Sequence, residues 1–589
     1  MVWDKELARE LYGLTGNIWS KYLDIDERGR LIVKLKGYKI DLAKLLSEKK
    51  LPGAHIRILP IIRYMMDKVY EAFMEAFRKF GYEGEFKPVY PLKSNSTTIV
   101  VDTIWQYGVK YNWGFNAGTY PEIKLLSKYT NKKPRLLVVD GIKDNKILDL
   151  LVKMNDNWEI IVDIESMRDA DLLSKYRDLN IGLRIKVVSK SSGLWSHSSG
   201  LDSKFGLLIN TLDEIIKEHP WIPGRTVLLH VHAGSQITDK NKLENIIRET
   251  ITLYNSLVNT GFKNIRYIDF GGGLAYPYVE ASDHMFSSNY SLNEYAEILV
   301  KEVVESAENI PGIVFEGGRY IVAPHRITVT KIIDTRPYST PEDDETSYPI
   351  VEEIKNAENI KELVYVSRRA REIITRLMIK SPINIETRRM LEKLLGSITK
   401  AITCKAYEII SKDKDNALKE LTRTPNFVFE ELVKPSHRFF ASFSLFSHLP
   451  DTIVADQYFK VTPLQRLNEK PEVLGVISDL TCDSMGEYSA FATSLPSNIE
   501  TGTEDLFTSL DHKLMFIPGK TLRLKGIPLH IPRKNENYYI AFLDTGAYQD
   551  MLSMNHNLLD GYPEIIIDIV NDDLKIQYKN LETTENYPF

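Results

Sequence analysis

The chain has 589 residues of ordinary globular composition, 43% of them apolar, with 75 basic against 80 acidic side chains and a formal charge of -5. That length exceeds one compact core, so two or three domains are expected. The lack of a basic run or an acidic tail argues against nucleic acid as a partner. Cys404 and Cys482 are the only cysteines, too few for a disulfide framework. The opening MVWDKELARE carries charge from its fourth residue and no apolar run reaches spanning length, so a cytoplasmic location away from membranes is the default expectation.

In chain order, the first 50 residues read as a segment that joins a β domain, with IVKLKGYKIDL at 32–42 as a strand pair. From 51 to 335 one rhythm repeats, a short apolar β-rich run followed by a longer helical pattern. The runs are FKPVY (86–90), WGFN (113–116), RLLVVD (135–140), EIIVDIE (159–165), GLRIKV (182–187), VLLHVH (227–232), IRYIDF (265–270) and GIVFE (312–316). Eight near-continuous apolar strands alternating with helices predict an α/β fold, a closed (β/α)8 barrel of parallel strands. STPEDDETSYP at 339–349 reads as a polar surface loop opening an insertion over 336–430. Apolar positions three and four apart in IKELVYVSRRAREIITRLMI and ETRRMLEKLLGSITKAITCKAYEII make that insertion helical. Residues 431–589 return to strands in VLGVISDLTC, TLRLKGIPLHI, YYIAFLDTG and EIIIDIV, predicting a C-terminal β domain.

Functional residues of such a barrel gather at the carboxyl ends of its strands. The first strand ends in VYPLKSN, which puts Lys93 just past an apolar run. A partly desolvated amine there has a lowered pKa and attacks aldehydes; the competing reading is a lysine snorkelling at the rim. The sixth ends in HVHAGSQ, where His232 can present a flat ring to a bound aromatic group or simply be a hydrogen-bonded core residue. The seventh runs into DFGGG, whose glycines let backbone N–H groups approach a phosphate. The eighth ends in FEGGRY, joining Glu316 to a glycine pair and Arg319, with an internal Glu316–Arg319 ion pair as the plain alternative. Together these are the parts that pyridoxal phosphate chemistry needs: an imine-forming lysine, a ring clamp, a phosphate anchor and a carboxylate for the pyridine nitrogen. Cys482, in SDLTCDSMGEYSAF, reads alone as a small buried hydrophobe beside the surface acid Asp483.

The motifs KPVYPLKSNSTTIVVDTI, SKSSGLWSHSSGLDSKFGL, LLHVHAGSQITD, IDFGGGLAYPY, FSLFSHLPDTIVADQYFKVTPLQRL, SDLTCDSMGEYSAF and FLDTGAYQDMLSMNHNLL run nearly end to end. Through them the chain resembles the biosynthetic arginine decarboxylases, a long-chain branch of the barrel-type pyridoxal phosphate decarboxylases that includes the ornithine and diaminopimelate enzymes. The resemblance implies that Lys93 carries the cofactor as a Schiff base, His232 stacks on its ring and Glu316 bonds its pyridine nitrogen. It implies that Ser235, Gly271, Gly272, Gly273, Gly318, Arg319 and Tyr548 hold the phosphate. Substrate binding would fall on the stretch from Ile268 to Tyr278, Asp269 included. In related enzymes the Cys-Asp pair comes from the opposite subunit of a dimer, so Cys482 would donate a proton after carbon dioxide leaves and Asp483 would bind the cationic end of the substrate. Asn116 stands where the family commonly has an acid. Magnesium use is also implied, although the sequence offers it no dedicated carboxylate cluster. The expected function is decarboxylation of L-arginine to agmatine, feeding putrescine and spermidine synthesis. The alternatives are another basic substrate (ornithine, lysine, diaminopimelate or carboxynorspermidine) and a catalytically silent relative.

Overall fold

The computed structural model describes residues 3–130, 133–189, 200–279, 287–337, 348–380, 384–412, 437–491 and 526–589. Most of the polar loop expected at 339–349, residues 190–199 of the SKSSG motif, and the start of TLRLKGIPLHI lie outside them.

An antiparallel three-stranded sheet comes first, β1 (Leu23–Ile25), β2 (Leu31–Leu35) and β3 (Tyr38–Asp41), and its β2–β3 hairpin is the strand pair expected at 32–42. It leans on C-terminal residues: Leu31 N–H donates to the Leu464 carbonyl and Trp19 Nε1–H to Asp544, 2.9 Å away in each case. After β4 (Gly53–Ile58) the amphipathic helix Leu59–Phe80 stops at Gly81, where φ of 67° suits a residue without Cβ.

All eight expected barrel strands form: β5 (Phe86–Pro91), β6 (Gly114–Ala117), β7 (Arg135–Val139), β8 (Trp158–Ile164), β9 (Asn180–Arg184), β10 (Thr226–His230), β11 (Tyr267–Asp269) and β12 (Gly312–Glu316). They pair in parallel, each with its sequence neighbour, and β12 closes on β5 through Ile313 to Glu316 against Phe86 to Val89. Side chains alternate in and out along a strand. Val89, Leu136, Val138, Ile161, Leu228, Tyr267 and Val314 fill the barrel interior as one cluster, while Ile268, Phe315 and Leu229 face the helical layer.

Two strands within 51–335 pair outside the barrel. β4 and β13 (Arg326–Pro337) belong to a ten-stranded sheet with β14 (His437–Ala441), β15 (Val461–Pro463), β16 (Val473–Ser478), β17 (Glu487–Tyr488), β18 (Ile527–Leu529), β19 (Tyr539–Phe542), β20 (Glu564–Val570) and β21 (Asp573–Lys579). β13 was not foreseen: RITVTKIIDTRP mixes charge with β-branched residues, and it is specified by its partners β4, β14 and β19. The insertion is helical, as Pro349–Lys355, Ile360–Lys380 and Ile385–Lys412, packed around a separate apolar cluster that includes Leu363, Ile374 and Ile402.

The barrel and the second sheet meet at Asp550. Its carboxylate takes a bidentate pair from Arg57 of β4 (3.0 and 3.1 Å), one bond from Arg326 of β13 (2.7 Å) and one from Asn95 beside Lys93 (2.7 Å). Burial opposes its charge, but Arg326 and Arg57 hold the carboxyl well below the usual range. Replacing Asp550 by Asn leaves the buried Arg326 without its carboxylate and Arg57 with Glu564 alone, and about 3 kcal/mol of stability should be lost, read as a lower urea midpoint at neutral pH. Because the native carboxyl titrates below its unfolded value, its stabilising effect is complete above pH about 4 and is lost as pH falls further, so wild type and variant should converge in acid.

Candidate active site

The next inward position above the apolar layer is polar on strand after strand. Two residues beyond Leu228, Tyr267, Val314, Ile161 and Val138 come His230, Asp269, Glu316, Asp163 and Asp140, all buried. One further step upward reaches the mouth, with His232 on the β10 side and Lys93 on the β5 side.

A pocket with about 360 Å³ of empty space opens there, walled by Pro91, Lys93, Ser94, His232, Ser235, Gly272, Gly273, Leu274, Glu316, Gly318, Arg319, Tyr320 and Tyr548. Most of the side chains expected at the cofactor site are thus brought to one wall. Lys93 Nζ lies 3.8 Å from Glu316 Oε2, with the lysine side chain 41% exposed and the glutamate 0%. The lowered lysine pKa expected from the sequence is not found. Burial works against the ammonium, but Glu316, with Asp140 behind it, holds the amine above its ordinary value. Neither Glu316 oxygen has a hydrogen-bond partner among the described residues, so the Glu316–Arg319 pair does not form. Arg319 Nε donates to Ser235 Oγ (3.2 Å) and Nη1 to Tyr278 OH (3.1 Å), while its guanidinium lies 4.5 Å from the Tyr548 ring centroid.

His232 is kept neutral, its pKa driven well down by burial and then by Lys93 and Arg184. Gly234 N–H donates to its Nδ1 at 3.0 Å, which leaves the ring proton on Nε2. The glycines act by the room they leave. A Cβ on Gly271 (φ 66°) would stand 2.7 Å from the Val231 carbonyl, and one on Gly273 (φ 117°) 2.6 Å from Ile237 Cδ1. Tyr548 arrives from beyond β19, in the left-handed region at φ 67°, with its N–H donating to the Ser94 carbonyl at 2.7 Å.

Other expected residues take different places. Ile268 points outward into the helical layer, Asp269 is sealed beneath the pocket, where its Oδ1 accepts from Gly271 N–H (2.8 Å), and Tyr278 stands behind Arg319. None of the three lines the pocket: strand parity turns Ile268 away from it, Asp269 faces inward but one layer below, and Tyr278 lies on the loop after β11. Cys482 is exposed rather than buried, and Asp483 is exposed as expected, on a loop where Sγ approaches Asn557 Oδ1 at 3.8 Å and Asp483 Oδ1 accepts from Met485 N–H at 2.8 Å. Neither lines the pocket of its own chain.

Sequence reading missed the layer beneath. Asp163 Oδ2 meets His230 Nδ1 at 2.6 Å, and His230 Nε2 faces Glu316 Oε1 at 3.9 Å. Arg184 bonds Asp140 at 3.1 Å, and Asn116, buried on β6 between Pro91 and Val138, has no hydrogen bond to its amide nitrogen among the described residues. The signal was present: VVD, VDI, LLH, YID and VFE place polar residues at inward parity on strand ends. His230, Asp269 and Glu316 are also the one group among the described residues that could hold a metal. It does not suit magnesium, which takes six oxygens and keeps several waters, and no role for that ion is built on it. A buried carboxylate with free oxygens at the foot of a pocket ringed by a lysine, a neutral imidazole and a glycine cradle does suit a pyridine ring with a phosphate arm.

Residues 66–323 match the family model of the pyridoxal-dependent decarboxylase pyridoxal binding domain. Fold and site thus define a pyridoxal-dependent carboxy-lyase built on a barrel with an added β domain. The biosynthetic arginine decarboxylase of Bacteroides thetaiotaomicron is 30% identical over 588 aligned residues, covering 94% of this chain and 87% of that protein. That of Phocaeicola vulgatus is 28% identical with the same coverage. The crystal structure of the Campylobacter jejuni biosynthetic arginine decarboxylase superposes with a TM-score of 0.71 at 25% identity, over 98% of this chain and 91% of that one. The chain belongs to the biosynthetic arginine decarboxylase family.

A Cβ on Gly318 would fall 2.3 Å from Ser94 Oγ and 2.8 Å from Pro91 Cγ, on the turn that carries Lys93. Gly318→Ala should therefore weaken retention of pyridoxal phosphate about tenfold, the effect of 1–3 kcal/mol of overpacking, measured by cofactor titration of the apoprotein.

Proposed function

We propose that this chain decarboxylates L-arginine to agmatine and carbon dioxide in the cytoplasm, an early step of polyamine synthesis. The observation that carries the reading is the buried Glu316 carboxylate, without a hydrogen bond among the described residues and 3.8 Å from Lys93 Nζ, in a chain whose relatives along nearly its whole length are named arginine decarboxylases. No helix of the described residues is long and apolar enough to cross a membrane.

Pyridoxal phosphate, when bound, supplies an electron sink for the carbanion left as carbon dioxide departs. Lys93 Nζ would hold the cofactor through its aldehyde, Glu316 would bond the ring nitrogen, and His232, a neutral imidazole, would pack on the ring. Arg319, Ser235, Tyr548, Gly318 and the N–H groups of Gly272 and Gly273 would take the phosphate, for which a fixed guanidinium and backbone donors are the suitable chemistry, while Gly271, whose N–H is engaged by Asp269, would shape the turn.

Cys482 and Asp483 serve the pocket of a second copy. Their exposure supports this, as do the exposed apolar side chains nearby, Met485 on their own loop and Leu552, Met554 and Leu558 around Asn557. Leu558 is 88% exposed, an unusual state for a leucine unless another surface covers it. In that arrangement Cys482 Sγ would hold the proton that replaces carbon dioxide on the substrate carbon, and the Asp483 carboxylate would pair with the substrate guanidinium.

Carbon dioxide release over arginine, ornithine, lysine and diaminopimelate should favour arginine; a clear preference for another member of the panel overturns the substrate assignment. Borohydride should fix the cofactor on Lys93. Lys93→Ala and Cys482→Ala chains, each inactive alone, should recover part of the activity when mixed and allowed to exchange subunits. Asp483→Asn should cost about 1.5–3 kcal/mol of binding to arginine, seen in KM more than in kcat.

A further inference from the structure

Beneath the pocket a histidine that the proposed chemistry does not use is clamped between carboxylates. His230 and Asp163 are both 0% exposed and joined at 2.6 Å through Nδ1, and His230 Nε2 points at Glu316 Oε1, 3.9 Å away. Nε2 has no hydrogen-bond partner among the described residues, and neither does either Glu316 oxygen. The barrel makes room for this pair, since a Cβ on Gly182 of β9 would fall 2.2 Å from Asp163 Oδ1. We propose that His230, held by Asp163, is a positioning residue for Glu316: an imidazolium behind the carboxylate aims it at the ring nitrogen of the bound cofactor.

The charges around the ring favour this role. Asp163 faces it from β8, Asp269 from β11 and Glu316 from β12, while Arg184 on β9 is engaged by Asp140 and Glu165. Lys93 and His232 lie above, and His232 is neutral. Burial pushes the His230 imidazolium toward neutrality, but Asp163, with Asp269, raises it to about 9. Burial also pushes the Asp269 carboxyl up, against the pull of His230, and Glu316 adds to the rise. Buried carboxylates are costly without a partner, and His230 is the cation in this layer that points to Glu316. Its clamp removes rotational freedom, so Glu316 is addressed from one fixed direction.

The inference rests on the reading that Glu316 meets the ring nitrogen, and its test separates the two. The affinities of the apoprotein for pyridoxal phosphate and for its 1-deaza analogue, which has carbon in place of the ring nitrogen, are compared by fluorescence titration. Wild type should prefer the nitrogen-bearing cofactor by about tenfold or more, the effect of one charge-assisted contact. Glu316→Gln should abolish that preference; if it survives, the reading of Glu316 itself fails. His230→Gln and Asp163→Asn should each remove most of the preference and leave affinity for the analogue nearly unchanged. An equal loss for both ligands, or no change in preference, overturns the role of His230. Should His230→Gln not fold, nitrogen NMR of histidine-labelled wild type decides: His230 should remain an imidazolium at neutral pH and titrate near pH 9, and a neutral ring at pH 7 overturns the proposal.

Discussion

The rest of the structure depends on the strict alternation of side chains along eight parallel strands that close on themselves. Once Val89, Leu136, Val138, Ile161, Leu228, Tyr267 and Val314 occupy the barrel interior, the next inward position on each strand is determined. On five of the strands those positions are polar, Asp140, Asp163, His230, Asp269 and Glu316, while β5 places Pro91 there. An apolar plug below and a charged floor above follow from one register. A slip by one residue in any strand would send its polar group into the helical layer and an apolar one into the site.

A charged floor inside a barrel is stable only if its members answer one another. Asp163 answers His230, Arg184 answers Asp140 and Glu165, and Lys93 answers Glu316 from above. Lys93 shows which effect wins: desolvation alone would depress the amine, yet the nearby carboxylates outweigh it and the shift is upward. Among the described residues, both oxygens of Glu316, Nε2 of His230, Asp163 Oδ1 and Asp269 Oδ2 are left without hydrogen bonds in this floor. A buried polar group without a hydrogen bond is costly, and a ligand that supplies one at the foot of the pocket would relieve that cost.

The pocket is also a product of two units. Its floor and most of its wall come from the barrel, but Tyr548 is delivered by a segment that follows β19 of the second sheet, and the Ser94 carbonyl fixes it in place. Asp550, two residues on, ties that segment to Asn95, Arg57 and Arg326. The lysine turn is thus braced from both sides, and the strands β4 and β13 that bracket the barrel in sequence are the ones that carry the two arginines.

Periodicity by itself determined the eight barrel strands, the helical character of the insertion and several strands of the C-terminal sheet, because near-continuous apolar runs and three-four spacing report local backbone preference and burial directly. Lys93, His232, Gly272, Gly273, Glu316, Gly318 and Arg319, which line the pocket, were legible too, since strand ends and glycine runs are local features. Tertiary structure decided the rest. RITVTKIIDTRP became β13 only because β4, β14 and β19 offered edges to it. Asp269 became a buried support because parity and its neighbours His230 and Glu316 enclose it. Cys482, read locally as a core residue, stands exposed because the loop after β16 leaves the sheet and reaches Asn557. Whether a charge is paired, orphaned or solvated depends on residues far away in sequence, and no local pattern encodes that.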